Sequence, residues 1–216
     1  SRHNPIIVCL QETNFPSNHV GKLRQYIAYN KNRTTAVHAS GGVATYIKEN
    51  IPQMEITLNT PLEATAVSVL LSVKLCICNI YLPNKNELDL TTHQELIQQL
   101  PHPFIIMGDF NSHNTIWGCK DTNTRGKTIE KFLLNNDLII LNTHSPTHYN
   151  IATGTFSSID LHLSTPEIAH MFNWSAYSTL QGSDHLPIII SIDKAISNYY
   201  TIPKWKFKKA DWLLYR

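Results

Sequence analysis

Phe104-Ile105-Ile106-Met107-Gly108-Asp109-Phe110-Asn111 (residues 104–111) is a short apolar run that stops on a glycine and breaks into carboxylate and amide side chains. A run this short and this apolar reads as a strand buried on both faces rather than a half-exposed one. Asp109 and Asn111 stand two apart, so in extended chain both point the same way. Outward from this strand the pattern alternates. Thr65 to Leu71 and Leu75 to Leu82 are β-rich runs joined by Ser72-Val73-Lys74, a hairpin. Asp89 to Leu100 places Leu96, Ile97 and Leu100 on one helical face, and Pro101 closes it. Downstream, Lys127 to Asn136 predicts a helix with Ile129, Phe132 and Leu133 inward. Leu138 to Leu141, Ser158 to Leu163 and Leu186 to Ile192 predict strands. Near the start, Pro5 to Leu10 and Val43 to Lys48 do the same. Hairpins mixed with αβ units imply an α/β class of fold, stacked sheets flanked by helices.

The composition suits that reading. A 216-residue chain with 42% hydrophobic and 16% charged residues can bury a core in one large domain. No apolar run approaches the roughly 18 residues of a membrane span, so no membrane partner is expected. The four cysteines lack zinc-ligand spacing, with Cys76 and Cys78 only two apart, and read as reduced thiols in an intracellular protein. The formal charge of +2 is uneven: residues 194–216 hold Lys194, Lys204, Lys206, Lys208, Lys209 and Arg216 against Asp211 alone. Such a tail attracts polyanions, though most tails of this kind are solvated linkers. The chain opens on Ser1 without methionine or signal pattern, which reads as a piece of a longer polyprotein.

The chemistry-bearing residues gather at strand ends. Glu12 follows the first strand, Tyr81 ends the hairpin, Asp109 and Asn111 follow the residue-104 strand, Asp160 sits within Ser158-Ile159-Asp160-Leu161, and Asp184-His185 opens the last strand. Singly each has a plain explanation; Gly-Asp-Phe-Asn alone is most often a turn. Asp160 is harder to dismiss, because a carboxylate between Ile159 and Leu161 needs a partner if buried, and His185 is the available one. The set suits phosphodiester hydrolysis. Glu12 and Asp184 offer hard oxygen ligands for Mg²⁺, with Mn²⁺ as the substitute. Asp109 can orient and deprotonate water, and Asn111 can donate to a non-bridging oxygen. His185, its tautomer fixed by Asp160, is a strong donor to the same phosphate.

At these positions the sequence resembles the endonuclease/exonuclease/phosphatase superfamily. Leu10-Gln11-Glu12-Thr13, Tyr81, Gly108-Asp109-Phe110-Asn111, Ile159-Asp160 and Ser183-Asp184-His185-Leu186-Pro187 match its blocks in order over nearly the whole chain. The resemblance implies a four-layered α/β sandwich, two mixed sheets flanked by helices. It also implies that a first strand, carrying an asparagine that supports the metal site, and the helix after it lie upstream of Ser1. Asn111-Ser112-His113 with Trp117-Gly118, Thr124-Arg125-Gly126, Leu141-Asn142 and Pro146-Thr147 look like the endonuclease domains of jockey-like non-LTR retrotransposons. That narrower likeness implies a nuclear enzyme that nicks double-stranded DNA and leaves a 3′-hydroxyl to prime reverse transcription. On it residues 1–193 form the nuclease, and 194–216, with Trp205-Lys206-Phe207-Lys208-Lys209, a linker toward a reverse transcriptase domain of the same parent chain. Thr147 resembles a phosphate-contacting threonine. An apurinic-type repair endonuclease of the same fold, and an inactive remnant that at most binds DNA, are the competing readings.

Overall fold

The computed structural model describes residues 3–34, 39–84 and 88–192. The linker expected over 194–216 lies outside the described residues. In chain order the strands and α-helices are β1 (Ile7–Gln11), β2 (Tyr26–Lys31), β3 (Val43–Lys48), β4 (Gln53–Ile56), β5 (Glu63–Leu70), β6 (Lys74–Tyr81), α1 (Leu90–Gln98), β7 (Phe104–Asp109), α2 (Thr124–Asn135), β8 (Ile139–Ile140), β9 (His148–Asn150), β10 (Thr155–Ser157), β11 (Asp160–Ser164), α3 (Pro166–Ala169), β12 (Phe172–Ala176) and β13 (Ile188–Ile192). None of these helices is long and apolar enough to cross a membrane.

The principal sheet has the order β4-β5-β6-β7-β11-β8. Only β6 and β7 run parallel, and α1 supplies the crossover that a parallel pair requires. Both faces of this sheet are covered, as the continuous apolar run at 104–107 demands. Cys76, Cys78, Ile80, Phe104, Ile106, Leu161 and Leu163 pack with Leu96 and Ile97 of α1 and Phe132 and Leu133 of α2. On the opposite face Val67, Val69, Leu75, Ile77 and Ile105 pack with Ile47 of β3. The second layer is divided between an antiparallel β1-β3-β2 sheet and an antiparallel β12-β13 pair; β9 and β10 form a separate hairpin. Among the described residues β1 pairs only with β3, and β13 only with β12. On the outer side of β3 the backbone at Gly21 lies against Tyr46 and Phe15, so an irregular segment forms that cover.

A polar seam joins the two layers where apolar packing would be expected. Buried Asn79 of β6 accepts from Gln11 Nε2 at 2.6 Å and donates to the carbonyls of Leu10 and Ala44 at 3.2 and 3.1 Å. Below it the Thr45 and Thr65 hydroxyls meet at 2.8 Å. Because each buried polar group has a partner, the seam fixes the lateral offset of the sheets without an unsatisfied desolvation cost.

Among the boundaries that differ from the sequence expectation, two lie beside the cleft. Helix α2 starts at Thr124, not Lys127, because Asn123 caps it, its side chain accepting from Gly126 N at 2.7 Å. Strand β11 starts at Asp160 rather than Ser158. Gly126 therefore sits in the first turn of a helix, where a Cβ would lie 1.8 Å from the His113 carbonyl oxygen. Glycine there lets the segment after β7 lie directly on the helix. Replacing glycine by alanine in a helix ordinarily stabilises by about 0.5–1 kcal/mol. For Gly126→Ala we expect the reverse sign, a loss of about 1–3 kcal/mol from overpacking, read as a melting temperature roughly 2–12 °C lower. A variant that melts at or above the parent temperature would show that the contact is not tight.

Candidate active site

Strand alternation decides which side chains reach the site. On β6, Leu75, Ile77, Asn79 and Tyr81 share the face toward the second layer; on β7 Ile105, Met107 and Asp109 do, and on β11 Asp160 and His162 do. The ladders put Tyr81 opposite Asp109 and Asp109 opposite Asp160. Three chemistry-bearing residues thus stand in one row across adjacent strands, at the edge where β1 delivers Glu12. Tyr81 donates its hydroxyl hydrogen bond to the Glu12 carboxylate. Burial, and then that bond and the charge of Glu12, push the Tyr81 phenol up, so it stays protonated and acts as the donor. Glu12 itself adopts φ +49 and Asn111 φ +48. Left-handed backbone at a glutamate costs about 1–2 kcal/mol, a strain of the kind that accumulates at functional positions.

Asp160 is buried and meets His185 Nδ1 with both carboxylate oxygens, at 3.0 and 2.9 Å. The expected pairing is therefore present in the structure. Burial pulls the His185 imidazolium down, but the hydrogen bond to Asp160 and the charges of Asp160, Asp109 and Asp184 outweigh it and raise the group to about 9. Asp109 is pushed up to about 7, by burial first and then by the neighbouring charge of Asp160, with His185 and the Asn111 N–H opposing. The two ionisations share one cluster, so titration curves report the cluster rather than isolated residues. His162, one turn of the pleat along β11, is buried and held neutral at about 4 while its Nδ1 accepts from Trp174 Nε1 at 3.2 Å, tying β11 to β12.

Asn111 is placed beside Asp109, but its expected role changes. Its side-chain amide donates to Asp109 Oδ2 at 2.8 Å and to the Leu82 carbonyl at 3.2 Å, which uses both of its N–H groups. Its backbone N–H also reaches Asp109 Oδ1 at 2.8 Å. Asn111 therefore fixes the orientation of Asp109 instead of offering a donor to a phosphate. Arg125 steadies the same segment, with Nε on the Phe110 carbonyl at 2.9 Å and a terminal nitrogen on Leu82 at 2.8 Å.

Thr147 also departs from the expected phosphate contact. It is fully buried, and its hydroxyl accepts from the backbone N–H groups of Ile159 and Asp160, both at 3.1 Å. Its backbone accepts from Leu186 at 2.7 Å. Thr147 thus staples the strands that present Asp160 and His185, from behind the site.

Glu12, Tyr81, Asp109, Asn111, Asp184 and His185 all line one open cleft of about 760 Å³. Its walls carry the carboxylates of Glu12, Asp109, Asp121 and Asp184 against a single lysine, Lys120. A phosphate would meet a surplus of negative charge there, and hard carboxylate oxygens are the donors that Mg²⁺ prefers. The oxygen donors of Glu12 and Asp184 thus suit a hard divalent cation in their chemistry. The sequence reading missed His148 and the β9-β10 hairpin, whose Asn150 and Phe156 form one wall. The available signal was Tyr149-Asn150 and Thr155-Phe156 flanking Gly154, a short pair of β-rich runs around a turn.

The sequence profile of the endonuclease-reverse transcriptase family matches residues 75–189, just over half of the chain. The chain is 27% identical over 205 residues to a probable RNA-directed DNA polymerase from transposon X-element of Drosophila melanogaster, covering 92% of this chain and 22% of that protein. It is 24% identical over 201 residues to the RNA-directed DNA polymerase from mobile element jockey of the same species, covering 88% and 21%. It therefore spans about a fifth of the length of these curated relatives. Among solved structures the endonuclease domain of TRAS1, a telomere-specific non-LTR retrotransposon, superposes with a TM-score of 0.69 at 20% identity, covering 87% of this chain and 85% of that one. The fold is thus that of this endonuclease domain, as the α/β sandwich resemblance implied.

The Asp160–His185 pairing has a direct spectroscopic test. With Asp160 in place, the His185 ring should titrate near 9 in heteronuclear NMR. In Asp160→Asn, burial persists and the dominant carboxylate is gone, so the midpoint should fall by at least about one unit. A midpoint unmoved by Asp160→Asn would mean that the carboxylate does not hold the proton on His185.

Proposed function

Because this chain belongs to the endonuclease-reverse transcriptase family, we propose that it hydrolyses phosphodiester bonds of double-stranded DNA as the nicking module of a non-LTR retrotransposon polyprotein. The observation that carries the reading is the in-register row of Tyr81, Asp109 and Asp160 with His185 closing on Asp160. In this reading a strand enters the cleft with its phosphate between Asp109 and His185. Asp109, raised to about 7, accepts a proton from water as the water oxygen bonds to phosphorus. His185, charged up to about 9, donates to a non-bridging oxygen as negative charge gathers there. The bond to the 3′-oxygen breaks with its electron pair staying on that oxygen, which takes a proton from solvent water, leaving a 5′-phosphate and a 3′-hydroxyl able to prime reverse transcription. Tyr81 holds Glu12, and Asn111 holds Asp109, so neither carboxylate must be ordered during the reaction. Glu12 and Asp184 would hold a Mg²⁺ ion, which when bound would supply charge neutralisation and Lewis-acid stabilisation of the leaving oxygen. The remainder of the polyprotein, including a reverse transcriptase domain, and a nuclear site of action follow from the same proposal.

Asp109→Asn tests the assignment in two ways. Nicking of supercoiled plasmid should fall by at least about two orders of magnitude, the usual worth of a positioned general base, with DNA affinity retained. The same change should improve stability. Asp109 binds its proton more tightly in the folded chain than at its ordinary 3.8, so folding stability is lost as pH rises from about 4 through about 7. At pH 8 the neutral asparagine escapes that cost, and Asp109→Asn should melt higher than the parent. Nicking within a few-fold of the parent, or a lower melting temperature at pH 8, would sink the corresponding half of the argument.

A further inference from the structure

The hairpin β9-β10 does more than wall the cleft. His148 of β9 and His185 form an antiparallel bridge, flanked by Tyr149 N to Asp184 O at 2.8 Å and Leu186 N to Thr147 O at 2.7 Å. Bridge partners project to the same side, and the two imidazole centroids lie 4.8 Å apart at an interplanar angle of 59°. Each ring has its Nδ1 engaged by the protein: His185 by Asp160 at 2.9 Å, His148 by the Ser157 hydroxyl at 3.2 Å. That leaves Nε2 of both rings for another ligand. His148 Nε2 already stands 3.6 Å from Asp184 Oδ2, and the ligand atoms of His148, Asp184 and His185 all lie within 4.8 Å of one another.

We propose that His148, Asp184 and His185 form a binding site for a transition-metal dication of the zinc class. Two imidazoles and one carboxylate, with a water in the fourth position, are a donor set that Zn²⁺ takes and Mg²⁺ does not. The second shell is already built: Asp160 behind His185 and Ser157 behind His148 orient the rings as outer partners do in zinc proteins. Tetrahedral ligation needs donors about 3.4 Å apart. His148 and Asp184 are within a few tenths of an ångström of that, and no separation among the three ligand atoms exceeds 4.8 Å. The fit is specific to this arrangement: among the described residues Glu12 is not part of that group, and its own side chain offers oxygen alone. Binding itself does not depend on the proposed hydrolase. Its consequence rests on that reading: the ion replaces the Nε2 proton of His185 and removes Asp184 from the Mg²⁺ position, so zinc should inhibit.

The test is a calorimetric titration of Zn²⁺ into the whole 216-residue chain in excess Mg²⁺, repeated with Co²⁺ and read by visible absorption. The expected result is one equivalent bound, with the intense bands of four-coordinate Co²⁺. His148→Phe should weaken that binding by at least about tenfold and abolish the bands, whereas Glu12→Gln should leave both. His148→Asn serves as a second variant, and melting curves on both establish that they fold. Binding indifferent to both His148 variants, or abolished by Glu12→Gln, would overturn the site. Plasmid nicking in Mg²⁺ with and without zinc is measured in parallel. Absence of nicking without zinc would count against the hydrolase, and nicking unaffected at saturating zinc against inhibition, while the calorimetry alone decides the site.

Discussion

The register of three strands, β6, β7 and β11, is the constraint on which the rest depends. It places Tyr81, Asp109 and Asp160 side by side, and slipping any one strand by a residue would turn its member of the row into the opposite core. What holds the register is largely apolar. Ile77, Ile105 and their neighbours fill one side of the sheet, and Cys78, Ile80, Ile106 and Leu161 fill the other. Both faces are buried, so a slip exposes nothing to water but places polar groups in packed surroundings, which is costlier still. Gly108 adds a local lock. A Cβ there would lie 1.8 Å from the Ile80 carbonyl oxygen, so only glycine lets β7 approach β6 closely where the row ends.

That row concentrates buried charge, and the energetics divide between fold and function. Asp109 and Asp160 are ladder neighbours, and two adjacent carboxylates in a partly desolvated setting repel. His185 relieves the repulsion by pairing with Asp160, leaving Asp109 as the member whose ionised form is disfavoured. A carboxylate tuned toward neutrality is a poor contributor to stability and a good acceptor of a proton from water. The same tuning raises His185 and keeps it cationic beside the position where a phosphate would lie. The sheets tolerate the strain because the polar seam at Asn79 and the clamp of Arg125 on Phe110 and Leu82 satisfy the surrounding backbone.

Much of this was legible in the sequence, for a stated reason. The strands at 43–48, 63–70, 74–81 and 104–109 are apolar enough to declare themselves, and a polar residue at the end of such a strand must face a cleft or a partner. Asp89 and Pro101 bracket α1. Pairings between distant elements were less accessible. That Asn79 bridges two sheets, or that both N–H groups of Asn111 are taken by Asp109 and Leu82, depends on which strands become neighbours. Residue type alone gives donors, and only the fold says which acceptors arrive first. Strands β2, β4 and β12 escaped because they are half exposed and lack a clean apolar stripe.

The segment at 147–148 shows how one geometric fact produces both an error and an omission. Neighbouring residues in a strand project to opposite faces. Thr147 looked like the residue to face the cleft, yet it is the fully buried one, its hydroxyl spent on the N–H groups of Ile159 and Asp160. Its neighbour must then face outward, and His148 does, into the cleft and against Asp184 and His185. Inside and outside cannot be assigned to β9 from its own residues, because neither His148-Tyr149-Asn150 nor Thr155-Phe156-Ser157 carries a buried apolar residue to set the phase. The phase is set from outside, by the bonds of Thr147 to Ser157, Leu186 and the start of β11. Burying the hydroxyl of Thr147 is therefore what turns an imidazole toward His185. The chemistry at this wall of the cleft follows from a threonine that never reaches it.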